Sequence, residues 1–206
     1  MIVVDCEQRS PQWLALRRGV ISASNADRLA TPAKMREYAI ELAAERLVRE
    51  LPANVVTAAM QWGIDHEEAA RIRYAFEMNV DVFGIGFAFH DDYEWWAGCS
   101  PDGLIGARGL VEIKCPSSKK HLEYLTNGVV PPAYAPQLDF QLWVTGRDWV
   151  DFVSYDPRFV EAADYFCMRH WRDMETMVEV NKRVHACVAL VEERLAAVAK
   201  IRKGAA

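Results

Sequence analysis

Apolar side chains recur every three or four residues along several stretches, the spacing that lines one face of an α-helix. Three long helices are predicted, over residues 34–51, 57–79 and 173–200. Shorter helices are predicted over residues 10–19, 22–29, 117–126 and 134–144. The apolar positions that define the long helices are Met35, Tyr38, Leu42 and Leu47, then Met60, Ile64, Ile72 and Phe76, and finally Met177, Val184, Val188, Val191, Leu195 and Val198.

Alternating apolar and polar residues, rich in Val and aromatic side chains, predict β-strands between the helices. The predicted strands are residues 80–89, 93–99, 110–116 and 149–155, and residues 80–116 read as a meander. Residues 162–170 fit either a helix or a strand. This order of elements predicts an α/β or α+β fold with a central mixed β-sheet flanked by helices. Residues 1–206 contain no linker-like or repeated segment, so we expect one domain.

Composition narrows the class of protein without identifying it. The chain has 206 residues, of which 51% are hydrophobic and 26% charged, an ordinary globular balance. The net charge of −5 argues against a general nucleic-acid coat protein, but a local basic groove could still bind DNA. Five cysteines without a Cys-x-x-Cys pair predict reduced thiols and no iron–sulfur cluster. With no bilayer-length apolar run and no signal peptide, we expect a cytoplasmic protein.

The stretch from Ser100 to Pro116 carries the strongest chemical signal. Asp102 precedes a Gly-containing reversal, after which Glu112 and Lys114 lie two residues apart on a predicted buried strand. Both side chains leave the same face, and a hairpin would bring Asp102 beside them. Two carboxylates and an ammonium suit phosphodiester hydrolysis, because Mg²⁺ takes hard oxygen ligands and a lysine can orient the attacking water. The alternative is a structural Glu–Lys ion pair on a sheet face.

Two groups of polar residues outside this stretch could contact an anion. Arg17 and Arg18 lie near the end of the first short N-terminal helix, and Ser22 or Ser24 would cap the second one. They form either a phosphate site or two capped surface helices. Lys119, Lys120 and His121 form a small basic cluster near the predicted site, which is either solvated surface or a phosphate contact.

Three further polar residues have ordinary interpretations when they are taken alone. Glu67 lies on the second long helix, where it either points inward or remains a surface charge. Tyr134 and Gln137 would count as polar residues on the surface of a helix. None of the three indicates a function from its own position.

Several short motifs together resemble the lambda exonuclease family, the YqaJ-like viral recombination exonucleases of the PD-(D/E)xK nuclease superfamily. In family order, they are Trp-x-x-x-Arg at Trp13, Trp-Gly-x-x-x-Glu at Trp62, Ser-Pro-Asp-Gly at Ser100, Glu-x-Lys-Cys-Pro at Glu112 and Tyr-x-x-Gln at Tyr134. The resemblance extends over roughly residues 13–158, and the C-terminal helix agrees only in type. It implies a restriction-endonuclease-like core and suggests a strand over residues 162–170.

The resemblance implies a metal site and its ligands. Asp102 and Glu112 would bind metal, and the backbone carbonyl of Ile113 would complete the shell. Glu67 would assist a second metal ion or its water. The implied cofactor is Mg²⁺ in a two-metal site, and substitution by Mn²⁺ is left open.

The resemblance also implies roles around the scissile and terminal phosphates. Lys114 would orient and activate the attacking water, which Gln137 would also hold. Arg17 and Ser24 would hold the terminal 5′-phosphate of the DNA. Tyr134 would stack or form a hydrogen bond close by.

The activity implied by the resemblance is a Mg²⁺-dependent 5′→3′ exonuclease on double-stranded DNA ends, which leaves a 3′ single strand for strand annealing. Family members form toroidal trimers and work with a single-strand annealing protein, so we expect a homotrimer ring and a phage annealing partner. The gene would be of phage or prophage origin and the protein would act in the bacterial cytoplasm. Two alternatives remain: a structure-specific or nicking endonuclease, and a catalytically inactive DNA-end-binding or assembly module. The intact carboxylates and lysine disfavour the inactive module, because clustered carboxylates facing phosphates bring a binder no advantage.

Overall fold

The computed structural model describes residues 1–50, 56–160 and 162–204, which include a mixed five-stranded sheet. Its strand order is β3-β6-β7-β8-β9, with bounds Val82–Phe83, Gly103–Ile105, Gly109–Lys114, Trp149–Tyr155 and Tyr165–Trp171. Strands β7 and β8 pair in parallel, and the other neighbours are antiparallel. The predicted mixed sheet is thus confirmed, with β7 as its middle strand. Strand β9 also decides the ambiguous stretch at residues 162–170 in favour of a strand.

A second, four-stranded sheet has the order β1-β4-β5-β2, with bounds Ile2–Val4, Phe87–Phe89, Ala97–Cys99 and Ile21–Ser22. The single strand predicted over residues 80–89 is therefore wrong, because β3 and β4 belong to different sheets. Between them lies Gly86, where an added Cβ atom would come within 2.4 Å of the main-chain oxygen of Cys6. The strand predicted over residues 93–99 is also too long, because a 3₁₀ turn and a further turn precede β5.

Six α-helices are present in the described ranges: α1 Pro11–Arg17, α2 Pro32–Leu47, α3 Ala58–Met78, α4 Ser118–Asn127, α5 Ala135–Thr145 and α6 Met174–Gly204. The side chains of Ser10, Thr31 and Thr57 cap α1, α2 and α3 by accepting backbone hydrogen bonds. The helix predicted over residues 22–29 is instead a short 3₁₀ helix, Ala23–Leu29. The end predicted for α2, at residue 51, lies outside the described residues, and the helix stops at Leu47.

Helix α5 forms the centre of the largest core. It contacts β4 and β5 of the smaller sheet, β8 of the larger sheet, and α6. It is apolar on most sides because it is surrounded, and its buried apolar residues are Leu138, Phe140, Leu142, Trp143 and Val144. Because α5 is closely packed on most sides, any polar side chain that it directs at β7 has a fixed backbone position.

Helix α3 buries a different face from the one predicted. Met60, Ile72 and Phe76 were expected in the core, but they are exposed, and Phe76 retains 81% of its accessible surface. The buried positions are Ala70 and Tyr74, which pack with the β7 and β8 residues of a second core cluster. Ala70 and Tyr74 lie one helical turn apart, so the face that they share covers the sheet, and Met60, Ile72 and Phe76 lie on other faces of the helix.

Helix α6 packs along α2 and α5 through Met177, Val184 and Val191, as its apolar spacing predicted. None of the described helices has the length and apolar character needed to cross a lipid bilayer. The five cysteines are free thiols, in agreement with the prediction from their spacing.

Candidate active site

The hairpin of β6 and β7 brings Asp102 to the middle of the larger sheet. Gly103 pairs with Val111, a register that places Asp102 opposite Glu112. The Asp102 backbone N–H donates to the carbonyl of Val111 at 3.1 Å, and the backbone N–H of Ile113 donates to Asp102 Oδ2 at 2.6 Å. The short reversal predicted from the glycines therefore fixes this carboxyl group against β7.

Glu112 is buried, with 3% of its surface exposed, and the hydrogen bonds to its carboxylate within the described residues all come from side chains. Lys114 Nζ and Gln137 Nε2 both donate to its Oε1 atom, and Gln141 Nε2 donates to Oε2 at 2.6 Å. Both glutamines lie on α5. A buried carboxylate is stable only when such donors replace water, so these contacts explain how β7 tolerates this charge.

The charges of the site shift the pKa values of its members. Burial raises the pKa of the Asp102 carboxyl well above its ordinary value, and the negative charge of Glu112 raises it further. Burial alone would lower the pKa of Lys114, but the carboxylates of Glu112 and Asp102 outweigh it and raise that pKa. In the metal-free site the two carboxylates therefore stabilise the ammonium of Lys114, and burial disfavours the ionised form of Asp102.

Glu67 on α3 faces the same cleft, where two guanidinium groups engage its carboxylate. Arg71, one helical turn away, donates to Oε1 at 2.9 Å, and Arg9 pairs with Oε2. Arg71 also donates to the main-chain oxygen of Asp102 at 3.2 Å. The structure thus brings Glu67 close to Asp102 but gives it arginine partners, and its role at a metal remains a prediction.

The cleft around these groups has a volume of about 800 Å³. Asp102, Glu67 and Lys114 line it, and its cationic and aromatic lining includes Arg9, Lys120, Arg158, Trp62 and Tyr134. Arg158 is held by Asp156 and lies over the Trp62 ring, 4.1 Å from its centroid. The positive side chains give the acidic chain a local basic surface beside the carboxylates.

Two polar predictions near this cleft have different outcomes. The Tyr134 ring centroid lies 5.3 Å from Lys114 Nζ, so this residue is part of the site. His121 cannot contact phosphate, because it is fully buried and its ring nitrogens contact Ser154 Oγ and the carbonyl of Ala163. Only Lys120 of the predicted basic cluster lines the cleft.

Arg17 and Ser24 lie together, as their motif predicted. Arg17 donates to Ser24 Oγ at 3.1 Å, and burial lowers its pKa. Its guanidinium lies 4.2 Å from the ring centroid of Trp13, whose indole N–H donates to Ser100 Oγ at 2.7 Å. Ser24 is not a helix cap, since Ser22 occupies that position and Ser24 lies within the 3₁₀ helix.

The oxygen atoms at this site suit a hard divalent cation. In the described ranges no three carboxylate, imidazole or thiolate side chains form a metal-binding group by themselves. Mg²⁺ does not need three, because it commonly uses one or two carboxylates and keeps several waters. Asp102, Glu112 and the carbonyl of Ile113 are compatible with that ligand set, and their assignment as ligands remains a prediction.

Comparison with known proteins identifies the family. A model of the YqaJ-like viral recombinase domain matches residues 12–148, more than half of the chain. The chain belongs to this family. The family that its motifs resemble is therefore confirmed.

Two solved structures place the family membership in context. The alkaline exonuclease LHK-Exo from Laribacter hongkongensis is 36% identical to this chain, with a TM-score of 0.89. The match covers 96% of this chain and 100% of that chain. The same exonuclease is also solved in complex with dAMP. A phage related exonuclease from Haemophilus somnus 129PT is 12% identical, with a TM-score of 0.66 over 87% and 96% of the two chains, and shows a common fold alone. None of the curated proteins compared with the chain matches it. The predicted enzyme class, a nuclease, is confirmed.

Three residues of the site were missed in the sequence. Gln141 follows Gln137 by one helical turn, so the spacing could have revealed it. Arg71 likewise lies one turn after Glu67. No sequence pattern indicated Arg9, because only the folded structure brings it into contact with Glu67 of α3.

Proposed function

We propose that the chain is a Mg²⁺-dependent 5′→3′ exonuclease that degrades linear double-stranded DNA from 5′-phosphorylated ends. One observation carries the proposal: Trp13 lies against Arg17 and donates a hydrogen bond to Ser100, which immediately precedes the Pro-Asp-Gly of Asp102. These contacts would join the proposed phosphate site to the candidate carboxylate site, an arrangement that suits repeated cleavage from an end. Similarity to an alkaline exonuclease over nearly the whole chain supports the same activity.

Asp102, Glu112 and the main-chain carbonyl of Ile113 would hold the metal. The raised pKa of Asp102 supports this assignment, because a cation would replace the proton that otherwise balances the buried charge. When bound, the metal stabilises developing charge on the phosphate and lowers the pKa of a water ligand. A second ion beside Glu67 and replacement by Mn²⁺ belong to the same proposal.

Lys114 would position the attacking water and the scissile phosphate. As an ammonium it donates hydrogen bonds, and its raised pKa keeps it charged in the metal-free protein. Gln137 shares the Oε1 atom of Glu112 with Lys114, so its amide restrains the carboxylate and the ammonium together. The ring of Tyr134 limits the movement of Lys114 on another side.

Arg17 and Ser24 would hold the 5′-phosphate that each cut leaves on the shortened strand. The guanidinium and the hydroxyl are already hydrogen-bonded, so both are available at one point for an incoming phosphate. The similar Laribacter hongkongensis exonuclease has been solved with dAMP, a mononucleotide of the kind that stepwise digestion releases. Release of mononucleotides is therefore part of the proposal.

The biological setting follows from the family. A viral recombinase domain suits an enzyme of phage or prophage origin that resects DNA in the bacterial cytoplasm and leaves a 3′ strand for an annealing protein. A homotrimeric ring around the duplex rests on the resemblance to the lambda exonuclease family. Size-exclusion chromatography with light scattering would test it, and a monomer would contradict it.

The test compares linear with covalently closed circular duplex DNA, each with Mg²⁺ and with EDTA. We expect mononucleotides from linear DNA with Mg²⁺ only. Cuts in the closed circles would identify the structure-specific or nicking endonuclease instead. Retention of intact linear DNA without cleavage would identify the inactive end-binding module.

A further inference from the structure

Arg9 has a backbone conformation that arginine seldom adopts. It is the third residue of a turn closed by a hydrogen bond from the N–H of Ser10 to the carbonyl of Glu7 at 3.2 Å, and its φ is 69°. Glycine or asparagine is favoured at such a position, because a larger side chain is strained at positive φ. An arginine here is therefore costly to the fold, and strained residues of this kind concentrate at functional sites.

The turn is attached to the segment that carries the catalytic motif. Gln8 Nε2 donates to the carbonyl of Ile85 at 2.9 Å and to that of Pro101 at 3.2 Å. Pro101 immediately precedes Asp102, so the attachment places Arg9 beside the candidate active site. The Arg9 side chain lines the same cleft as Asp102 and Lys114.

Arg9 is held much less firmly than the other arginine on Glu67. Arg71 contacts Glu67, Glu68 and the main-chain oxygen of Asp102. Within the described residues, Arg9 makes a single hydrogen bond, to Glu67, and 48% of its side-chain surface is exposed. An exposed ion pair of this kind contributes little to stability, so it does not account for an arginine at a strained position.

We propose that Arg9 is a phosphate-binding residue of the DNA cleft, which exchanges the carboxylate of Glu67 for a backbone phosphate when duplex DNA enters. The inference rests on the proposed function, because it takes duplex DNA as the occupant of the cleft. A guanidinium matches phosphate oxygens with two parallel hydrogen bonds, and it offsets the repulsion between phosphates and the carboxylates already there. The exchange also frees the Oε2 atom of Glu67 to face the metal site, while Arg71 keeps its contact with Oε1.

The test measures DNA affinity and stability on the same variants. Fluorescence anisotropy of a labelled duplex with a 5′-phosphate, in Ca²⁺ without Mg²⁺, gives the dissociation constant at several salt concentrations. Arg9→Gly removes the side chain and relieves the positive φ, whereas Arg9→Lys keeps the charge without the planar fork. Arg183→Ala is the matched control, since Arg183 pairs with Glu179 at 2.8 Å, is 41% exposed and does not line this cleft.

We expect Arg9→Gly to bind DNA about tenfold more weakly, as the loss of one charge-assisted contact predicts. The slope of log affinity against log salt should fall by about 0.9, which corresponds to one phosphate contact. Its thermal midpoint should equal or exceed that of the wild type, Arg9→Lys should bind with intermediate affinity, and Arg183→Ala should bind normally. Wild-type affinity and salt slope in Arg9→Gly would overturn the proposal.

The outcome is separable from that of the proposed function. If the wild type binds duplex DNA but does not degrade linear molecules, the exonuclease is refuted and a weaker Arg9→Gly still supports the phosphate contact. If the wild type degrades linear DNA and Arg9→Gly binds normally, only the phosphate contact is refuted. A wild-type protein that binds no duplex DNA would refute both.

Discussion

Replacing Gln141 by leucine should separate the activity of this enzyme from its stability. The side chain is 1% exposed and lies on α5, where its Nε2 atom donates to Glu112 Oε2 at 2.6 Å. In the described part of the chain, its Oε1 atom has no hydrogen-bond partner. Gln141 therefore contributes one favourable contact and one unfavourable buried atom, and Gln141→Leu removes both while keeping much of the volume.

The two contributions to stability nearly cancel. Loss of a hydrogen bond to a charged group costs about 1.5–3 kcal/mol, whereas loss of a buried unsatisfied oxygen returns about 1–3 kcal/mol. The midpoints of the two ranges nearly cancel, so the free energy of unfolding should change little, by about 2 kcal/mol at the most. Activity has no such compensation, because Glu112 keeps only its Oε1 donors and its proposed metal-binding oxygens become free to turn. Loss of a residue that orients a metal ligand typically reduces metal affinity or activity about 10- to 100-fold.

The assay combines urea unfolding in EDTA with initial rates of linear-DNA digestion over a range of Mg²⁺ concentrations. We expect an unchanged unfolding curve and a higher Mg²⁺ requirement for Gln141→Leu. Thr145→Val, one turn further along α5, is the control, since its hydroxyl donates to the main-chain oxygen of Gln141. It should lower stability by about 1–2 kcal/mol, because the same hydroxyl also accepts from the backbone N–H of Arg147 at 3.3 Å, and it should leave the Mg²⁺ requirement alone. Normal Mg²⁺ dependence in Gln141→Leu would refute the reasoning, as would a large loss of stability.

Three further variants test the remaining assignments. Lys114→Ala should lose most of its rate at saturating Mg²⁺ but keep metal-dependent DNA binding, and a full recovery of rate by added metal would make Lys114 structural. Arg17→Ala should lose the wild-type preference for 5′-phosphate over 5′-hydroxyl ends and the wild-type processivity, but it should retain residual cleavage. Equal rates of the wild type on both kinds of end would exclude the end-binding site. Burial and Glu112 raise the pKa of Asp102, so the native metal-free protein holds the extra proton and its stability should fall as pH rises above about 4. Asp102→Asn should flatten that fall in thermal melts in EDTA and abolish cleavage, whereas an equally steep fall would contradict the shift.

Local pattern predicted most elements of the fold but could not assign strands to sheets. The alternation over residues 149–155 coincides with β8, and the apolar spacing of α6 identifies its buried face. The strand predicted over residues 80–89 failed because alternation does not reveal where a chain passes from one sheet to another. The close approach of Cys6 to Gly86 marks that passage, and it joins residues far apart in the sequence. The apolar face of α3 was misjudged because hydrophobicity does not decide which side a sheet covers.

The residues of the candidate site could be predicted where they lie close together in the sequence. Asp102, Glu112 and Lys114 lie on one hairpin, so the side-chain period of a strand and one short reversal are enough to bring them together. Gln137 and Glu67 needed the family motifs, since each comes from a separate helix. The position of Arg9 could not be predicted from the sequence. It depends on a turn in which Arg9 has a positive φ, and on a contact with Glu67 of α3, which is far away in the sequence.

The N-terminal segment would connect the proposed end-binding residues to the candidate active site more directly than the motifs suggest. Gln8 donates to the carbonyl of Pro101, Trp13 donates to Ser100, and β2 pairs in parallel with β5. These contacts attach residues 8–22 to the strand and turn that lead into Asp102, so the two regions are expected to move together. A phosphate held beside Trp13 would then lie at a constant separation from the carboxylates of the hairpin. A constant separation gives a constant step, and an enzyme built in this way would remove fragments of one length in every cycle.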